Sequence, residues 1–457
     1  MFCQLDRLRR CLSPRIQRAL DEMPETLDET YERTLQDIDE ENWAYAHRLF
    51  QCIVVARRPL RVEELADFLA FKSERGGSLK YEGNWRPENP REMVLSTCSS
   101  LIAIVTVDGS PEMQFSHFSV KEYLTSSRIA KGRVSRYYIP LEPAHLFVAQ
   151  ACLCFLLQLN KHVTQKSIQA LPLARYAGQY WADHAEFGDV SSHTEDLIKR
   201  IFNPKNHHFA NWVWIYDTIS NISMNSKSPS RRSRRKFAPL HYAARHGFPR
   251  VVEWLITTCS QEVLGRNSTT PLHIASENEQ FTAVQALLKH RADVNASEWF
   301  GNTPLHHVSR LGNHKIAQLL LKHGADVNAK TIVSQTPLLV SGNLEVAQLL
   351  LEHGADTSLR IGSCRESLYM ALQNGHPGLA KLLLKHGANP NTRDVFGRTL
   401  LHVSSFEGDL KVAQRLLELD VDVNSRDNRG QTPLQVALQR GNEQVVQLLL
   451  QRGANRT

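Results

Sequence analysis

From about residue 236 to 457 the apolar positions fall into short stripes of helical period, divided by polar turns, and the arrangement repeats. Leu272 and Ala275 lie three apart and share a helix face. One unit later Ile316, Leu319 and Leu320 make the stripe of a second helix. The stripes hang on a recurring phrase. Thr270-Pro271-Leu272-His273 returns as Thr303-Pro304-Leu305-His306 and as Thr336-Pro337-Leu338-Leu339. It returns altered as Glu366-Ser367-Leu368-Tyr369 and Thr399-Leu400-Leu401-His402. Ala238-Pro239-Leu240-His241 is the first copy and Thr432-Pro433-Leu434-Gln435 the last. Measured on the shared Leu, the spacings are 32, 33, 33, 30, 33 and 33. Thr suits an N-cap, where its hydroxyl accepts from a free amide. Pro then falls at the first helical position, where a missing N–H costs nothing. Gly312 and Gly324 end the two helices of the third unit, and Ala325-Asp326-Val327-Asn328 leads into an extended hairpin. Gly301, Gly397 and Gly430 mark the turn before the next Thr.

A period of about 33 built on T-P-L-H-x-A resembles the ankyrin repeat. Seven units fill residues 236–457. One unit cannot bury its own apolar face, so the resemblance implies a stacked α-solenoid with a concave surface of the kind that holds other proteins. Two units depart from the pattern. Thr336 stands six residues before Gly342, where Thr303 stands nine before Gly312. The loss of about one helical turn predicts a shortened inner helix and a local change of curvature. The fifth unit has lost its Thr, Pro and His together.

The first 225 residues carry no internal repeat. Pro24 and Thr26 open a helix with Leu27, Tyr31, Thr34, Leu35 and Ile38 at helical spacing, and Thr26 to Glu29 reads as a capping box. A second helix passes through Trp43, His47, Phe50 and Val54, and a third covers Val62 to Phe71. A polar loop follows from Lys72 to Pro90. Leu101 to Val107 reads as a strand, residues 108–111 as a turn, and Met113 to Phe118 as the returning strand. Ser119 to Glu122 reads as a capping box for the next helix. Three helices and a β-hairpin outline a winged helix.

The segments Leu27 to Leu35, Arg58-Pro59-Leu60, Cys98 to Leu101 and His117 to Leu124 resemble a known region. It is the part just after the nucleotide-binding module in NACHT-type signalling NTPases, especially those of filamentous fungi, with a winged helix of the GPI inositol-deacylase type. Tyr176, Tyr180, Trp181 and His184 resemble the helical spacer that precedes the ankyrins in such proteins. The expected fold is mainly α. Residues 1–42 are the tail of the NTPase-module helices, 43–130 a winged-helix α/β domain and 131–226 a helical spacer. A basic linker (227–236) joins these to the ankyrin solenoid. The resemblance implies a nucleotide-controlled switch whose ankyrins sense a partner. One feature of that family is missing. No G-x-x-x-x-G-K-S/T occurs, so there is no amide cradle for phosphates and no cofactor is expected. Met1 falls inside the apparent tail of the NTPase module, so the chain is expected to be a fragment or a natural short form.

Charge changes the picture in one place. The net charge of +7 comes almost wholly from Lys227, Arg231, Arg232, Arg234, Arg235 and Lys236, which lie among serines with no acid between them. The run reads as a solvated linker first and a nuclear import signal or nucleic-acid patch second. The eight cysteines are scattered without a C-x-x-C pair, which fits free thiols in a cytoplasmic or nuclear setting. The apolar stretch Ala144 to Leu159 is interrupted by His145, Gln150 and Gln158 and reads as a buried helix, not a membrane span.

Catalytic motifs are absent. There is no G-x-S-x-G and no H-E-x-x-H, and no enzyme activity or metal site is expected. His273, His306 and His402 recur one per unit, too far apart to share one ion, and read as structural donors to neighbouring backbone. Trp299 and Phe300, at a hairpin tip where the other repeats mostly carry polar residues, are candidate anchors for a protein partner, with packing between hairpins as the alternative. Arg310, Lys330, Arg393, Phe396, Arg426 and Arg429 lie on or near the same edge, which is the candidate binding surface. Three functions follow. The first is a regulatory and sensing module of a NACHT-type switch, linked to an upstream or separate NTPase. The second is a freestanding ankyrin adaptor. The third, a winged-helix nucleic-acid binder, is disfavoured because the hairpin carries Asp108 and Glu112 and no Lys or Arg.

Overall fold

The computed structural model describes residues 26–455 except 74–78, 83–91, 93–99, 108, 160–162, 165–167, 169, 223–237, 259–267, 358–366, 374–376 and 420. The basic run from Lys227 to Lys236, most of the presumed NTPase tail and Asp108 therefore lie outside the described residues. The chain divides into two compact units, Met1–Arg235 and Lys236–Thr457.

In the first unit the helix Leu27–Gln36 is capped by Thr26, whose hydroxyl accepts from the Glu29 N–H at 3.2 Å. The helix Trp43–Val55 follows, buried along Ala46, Leu49, Phe50 and Val54. The third helix, Val62–Leu69, ends two residues earlier than the sequence predicts. Phe71 instead starts a strand, β2 (Phe71–Ser73), which pairs antiparallel with β3 (Leu79–Tyr81) inside the stretch read as loop. The two strands are too short to display an alternating pattern, yet the fully buried Phe71 ring packs 5.0 Å from Tyr81. A larger sheet has the order β1-β5-β4, with β1 at Leu60–Arg61, β4 at Ile102–Val107 and β5 at Ser110–Phe115. Sequence pattern missed β1, a two-residue strand held by the register Leu60↔Met113 and Arg61↔Glu112. Pro111 belongs to β5 and not to the turn, at the end that β1 does not reach. Phe118 opens the helix Phe118–Thr125 and does not extend the strand. Its N-cap is His117, whose Nδ1 accepts from the Ser119 N–H, so Ser119 lies in the first turn and is not the cap.

Behind this layer the 18-residue helix Leu141–Gln158 packs on Trp43–Val55 and Pro172–Ala185. Its mean hydropathy of 1.3 makes it the one helix among the described residues apolar and long enough to cross a membrane, and half of it is buried inside the unit. Pro172–Ala185 also packs on Val62–Leu69, so residues 43–130 and 131–226 share one core. The Asp67 carboxylate sits at that junction, accepting from the Leu173 N–H at the start of Pro172–Ala185 and from the Tyr81 hydroxyl. Farther along, Pro172–Ala185 meets His208–Ile222 at Gly178. A Cβ there would come 2.3 Å from Ile215 Cγ2, so only glycine permits the approach.

In the second unit helices alternate inner and outer. The inner helices Pro239–Arg245, Pro271–Glu277 and Pro304–Leu311 stack in succession, as do Leu400–Glu407 and Pro433–Arg440. From Leu272 onward each stacked Leu, such as Leu305 or Leu434, is fully buried and contributes about 1.5–3 kcal/mol, whereas Leu240 in the first helix is half-buried. In the outer helix His314–Lys322 the buried residues are Ile316, Ala317, Leu320 and Leu321, and Leu319 is only half-buried.

The T-P-L-H phrase does two things at once. In the second unit Thr270 Oγ1 accepts from the His273 N–H, and the Thr270 N–H donates back to His273 Nδ1 at 3.2 Å. The same box forms at Thr303–His306 and Thr399–His402, with His where Glu or Gln usually stands, and Gln435 supplies it to Thr432. With Nδ1 accepting, Nε2 carries the proton and donates to the next unit's carbonyl. His273, His306 and His402 reach Asn302, Gln335 and Gln431 in this way, each at 3.0 Å, and His241 Nε2, with Ala238 in place of the Thr, lies 3.0 Å from Thr269 O. The predicted backbone bond is therefore present, within a box the sequence reading did not identify. Burial holds all four imidazoles below their ordinary range, His273 at about 4.

The fourth unit goes further than expected. No inner helix forms between Thr336 and Gly342. A hydrogen-bonded turn, with the Val340 N–H donating to Thr336 O, replaces it, while the outer helix Leu344–Glu352 is intact. In the fifth unit Tyr369 takes the histidine's place, and its buried hydroxyl donates to Glu407 at 2.5 Å.

Candidate interaction edge

The described hairpin tips are built the same way. The Glu298 N–H donates to Asn302 O and the Gly301 N–H to Glu298 O. Asp394 with Gly397, and Asp427 with Gly430, repeat both bonds. The left-handed corner explains the glycines: φ is +77° at Gly301, +73° at Gly397 and +75° at Gly430. The tip 331–335 makes the same bonds with Ser334 at φ 61°, a conformation that costs a side chain more than it costs glycine. Successive tips are tied to one another. The Ile332 N–H donates to Phe300 O at 3.0 Å, and the Asn428 N–H donates to Phe396 O at 2.9 Å.

Trp299 and Phe300 are 71% and 60% exposed, so they do not pack between hairpins. Ile332 and Val333, and likewise Val395 and Phe396, are also more than half exposed. The sequence reading took polar residues to be the rule at the other tips, and these residues correct it. The signal was available. Counted back from the anchoring Thr303, Thr336 and Thr399, the pairs Trp299-Phe300, Ile332-Val333 and Val395-Phe396 occupy the same two positions.

The basic candidates divide. Arg393 donates to Gly397 O and Arg426 O, and Arg426 donates to Gly430 O, so both guanidinium groups brace hairpins. Arg310 stands in the last turn of Pro304–Leu311, off the tips. Lys330 and Arg429 lie on the hairpins themselves. Arg310, Lys330 and Arg429 are exposed and form no ion pair among the described residues. Phe396 lies under the Arg398 guanidinium, 4.8 Å from ring centroid to Cζ.

The residues that carry the resemblance in the first unit make packing contacts. Tyr31 Oη lies 2.6 Å from Ser119 Oγ, and the Tyr31 and Tyr123 rings are 5.5 Å apart, joining two of the quoted segments. Arg58 clamps Glu64 through both guanidinium nitrogens and faces the Tyr176 and Tyr180 rings. The Arg57 N–H donates to the Tyr176 hydroxyl, whose oxygen lies 2.9 Å from His184 Nε2. His184 Nδ1 in turn lies 2.9 Å from His145 Nδ1. Burial lowers both imidazoles and raises the phenol. Among the described residues no three His, Cys, Asp or Glu converge to hold a metal ion.

The family model for ankyrin repeats matches in three copies, at residues 197–298, 296–361 and 368–457. The chain is similar to azaphilone pigments biosynthesis cluster protein L of Monascus ruber, 30% identical over 292 residues. That match covers 60% of this chain and 61% of the relative, so the chain spans about three fifths of the relative's length. The ankyrin repeat domain of Bcl-3, a member of the IkappaB family, is similar at 29% identity and TM-score 0.41, covering 47% of this chain and 98% of that one. The human ASB11 ankyrin repeat domain is similar at 24% identity and TM-score 0.40, covering 48% and 100%.

Proposed function

The chain belongs to the ankyrin-repeat family, and from that premise we propose that it is the non-enzymatic regulatory and sensing module of a NACHT-type signalling NTPase. Its ankyrins serve as a protein-interaction module. The observation that carries the interaction reading is the set of exposed tips, where large apolar side chains face solvent on a backbone locked by hydrogen bonds. The regulatory reading draws support from the first unit. Its helices with the sheet order β1-β5-β4 suit a winged helix, and two of the quoted motif segments meet through Tyr31 and Ser119. The similar protein from a fungus is consistent with it. The site of action is the cytoplasm or the nucleus.

Sequencing the 5′ ends of the native transcript tests the link to an NTPase. An in-frame G-x-x-x-x-G-K-S/T upstream of Met1 would make this chain the sensing half of a nucleotide switch. A transcript whose first codon is Met1 would leave two choices: a separate NTPase partner, identifiable by affinity capture, or the second reading, a freestanding ankyrin adaptor. Binding to duplex DNA is not favoured, since the β4–β5 hairpin exposes Val105 and Val107 and carries Glu112 without a cation.

A further inference from the structure

We propose that the hairpin edge captures a peptide segment in which large apolar side chains alternate with Asp and Glu. The proposal rests on the protein-interaction reading and adds the chemistry of the partner. Three observations carry it.

First, the apolar pairs stand in register. Trp299-Phe300 and Ile332-Val333 occupy equivalent positions on adjacent tips, bonded from Phe300 O to the Ile332 N–H. Together they form one apolar step rather than scattered exposed residues. A Cβ on Gly301 would meet Thr331 Cα at 2.9 Å, so the two hairpins are as close as their backbones allow. The step is therefore fixed before a partner arrives, which lowers the entropic cost of binding.

Second, the acids of the tips are turned inward. Glu298 accepts from Asn302 Nδ2 at 2.8 Å and faces His307 at 3.3 Å. Asp394 is nearly fully buried against Arg398. Asp427 accepts from the backbone N–H groups of Arg429 and Gln431.

Third, the outward charges of the tips are positive. Lys330 and Arg429 are exposed and have no acidic partner among the described residues. An apolar surface bordered by unpaired cations complements acidic apolar chain, because rim charges steer the approach while buried apolar side chains hold the complex. Single-stranded nucleic acid would also meet the charge, but it needs aromatic faces for its bases, and Ile332, Val333 and Val395 offer aliphatic ones.

The test uses the full chain, immobilised, with a phage-displayed library of short random peptides. Enriched sequences are then synthesised and titrated at low and high salt. The expected result is enrichment of Asp and Glu among Leu, Ile, Phe and Trp. Trp299→Ala with Phe300→Ala, or Ile332→Ser with Val333→Ser, should weaken binding about tenfold or more. Lys330→Glu with Arg429→Glu should weaken it further at low salt than at high salt. Circular dichroism of each variant confirms an unchanged fold. Enrichment without acidic bias overturns the proposed chemistry and leaves the interaction reading standing. Enrichment that survives both tip variants overturns the choice of this edge. Failure to enrich any sequence overturns the proposal, and an empty affinity capture from native cells would then overturn the interaction reading as well. An oligo-dT strand that outcompetes the selected peptide for the same tips also overturns it.

Discussion

Ser276, Ser309 and Ser405 stand at one position of the repeat, six residues after the anchoring Thr, and all three are buried. Their hydroxyls have no hydrogen-bond partner among the described residues. Ala244 fills the same place in the first ankyrin unit. A buried hydroxyl without a partner loses its hydration for nothing in return, so Ser309→Ala should raise stability by about 1 kcal/mol in urea denaturation. A loss of stability would mean that Ser309 has a partner after all. At this scale the sequence was most legible where one residue has one local job. Thr270 as N-cap and Gly312 as left-handed cap could be read directly. His117 could not, because a histidine cap competes with a better-known Ser two residues on. Ile332 and Val333 were visible in the sequence but required each tip to be counted from its own anchor.

Elements were legible in proportion to the length of their periodic pattern. Trp43–Val55 and Leu141–Gln158 each bury a long stripe and were foreseen. Leu60–Arg61 and the β2–β3 pair were not, since two or three residues display no period and their pairing is set by tertiary contacts. The same dependence makes helix contacts sensitive to one methyl group. Gly178→Ala should cost about 1–3 kcal/mol by forcing Pro172–Ala185 away from Ile215, seen as a lower denaturation midpoint. In the ankyrin array the fourth unit is the weak joint. Its missing inner helix interrupts the inner stack, and a solenoid is held only by nearest neighbours. Hydrogen exchange should show residues 239–322 and 367–451 opening with different free energies. A single shared opening energy across both segments would reject this.

At the scale of the whole molecule, buried neutral histidines tie stability to pH in both compact units. Burial depresses His273 to about 4 and also lowers His241, His306, His402, His145 and His184. The unfolded chain, with values near 6.5, then binds more protons than the folded one as acid is added. Their contribution is whole above pH 6.5 and is lost as pH falls toward the folded values, near 4 for His273. Each such histidine adds about 1.4 kcal/mol per pH unit to the slope inside its window. Melting temperatures should therefore fall steadily from pH 6.5 to 4.5, and a flat profile would contradict the neutral tautomers assigned here. The histidine bonds also share a direction. Each runs from an inner helix to a carbonyl 28 or 29 residues later, never to an earlier one. A chain emerging from the ribosome therefore cannot complete a unit with its own residues. Each histidine waits for the next unit to be synthesised, so the array closes one repeat behind the growing end.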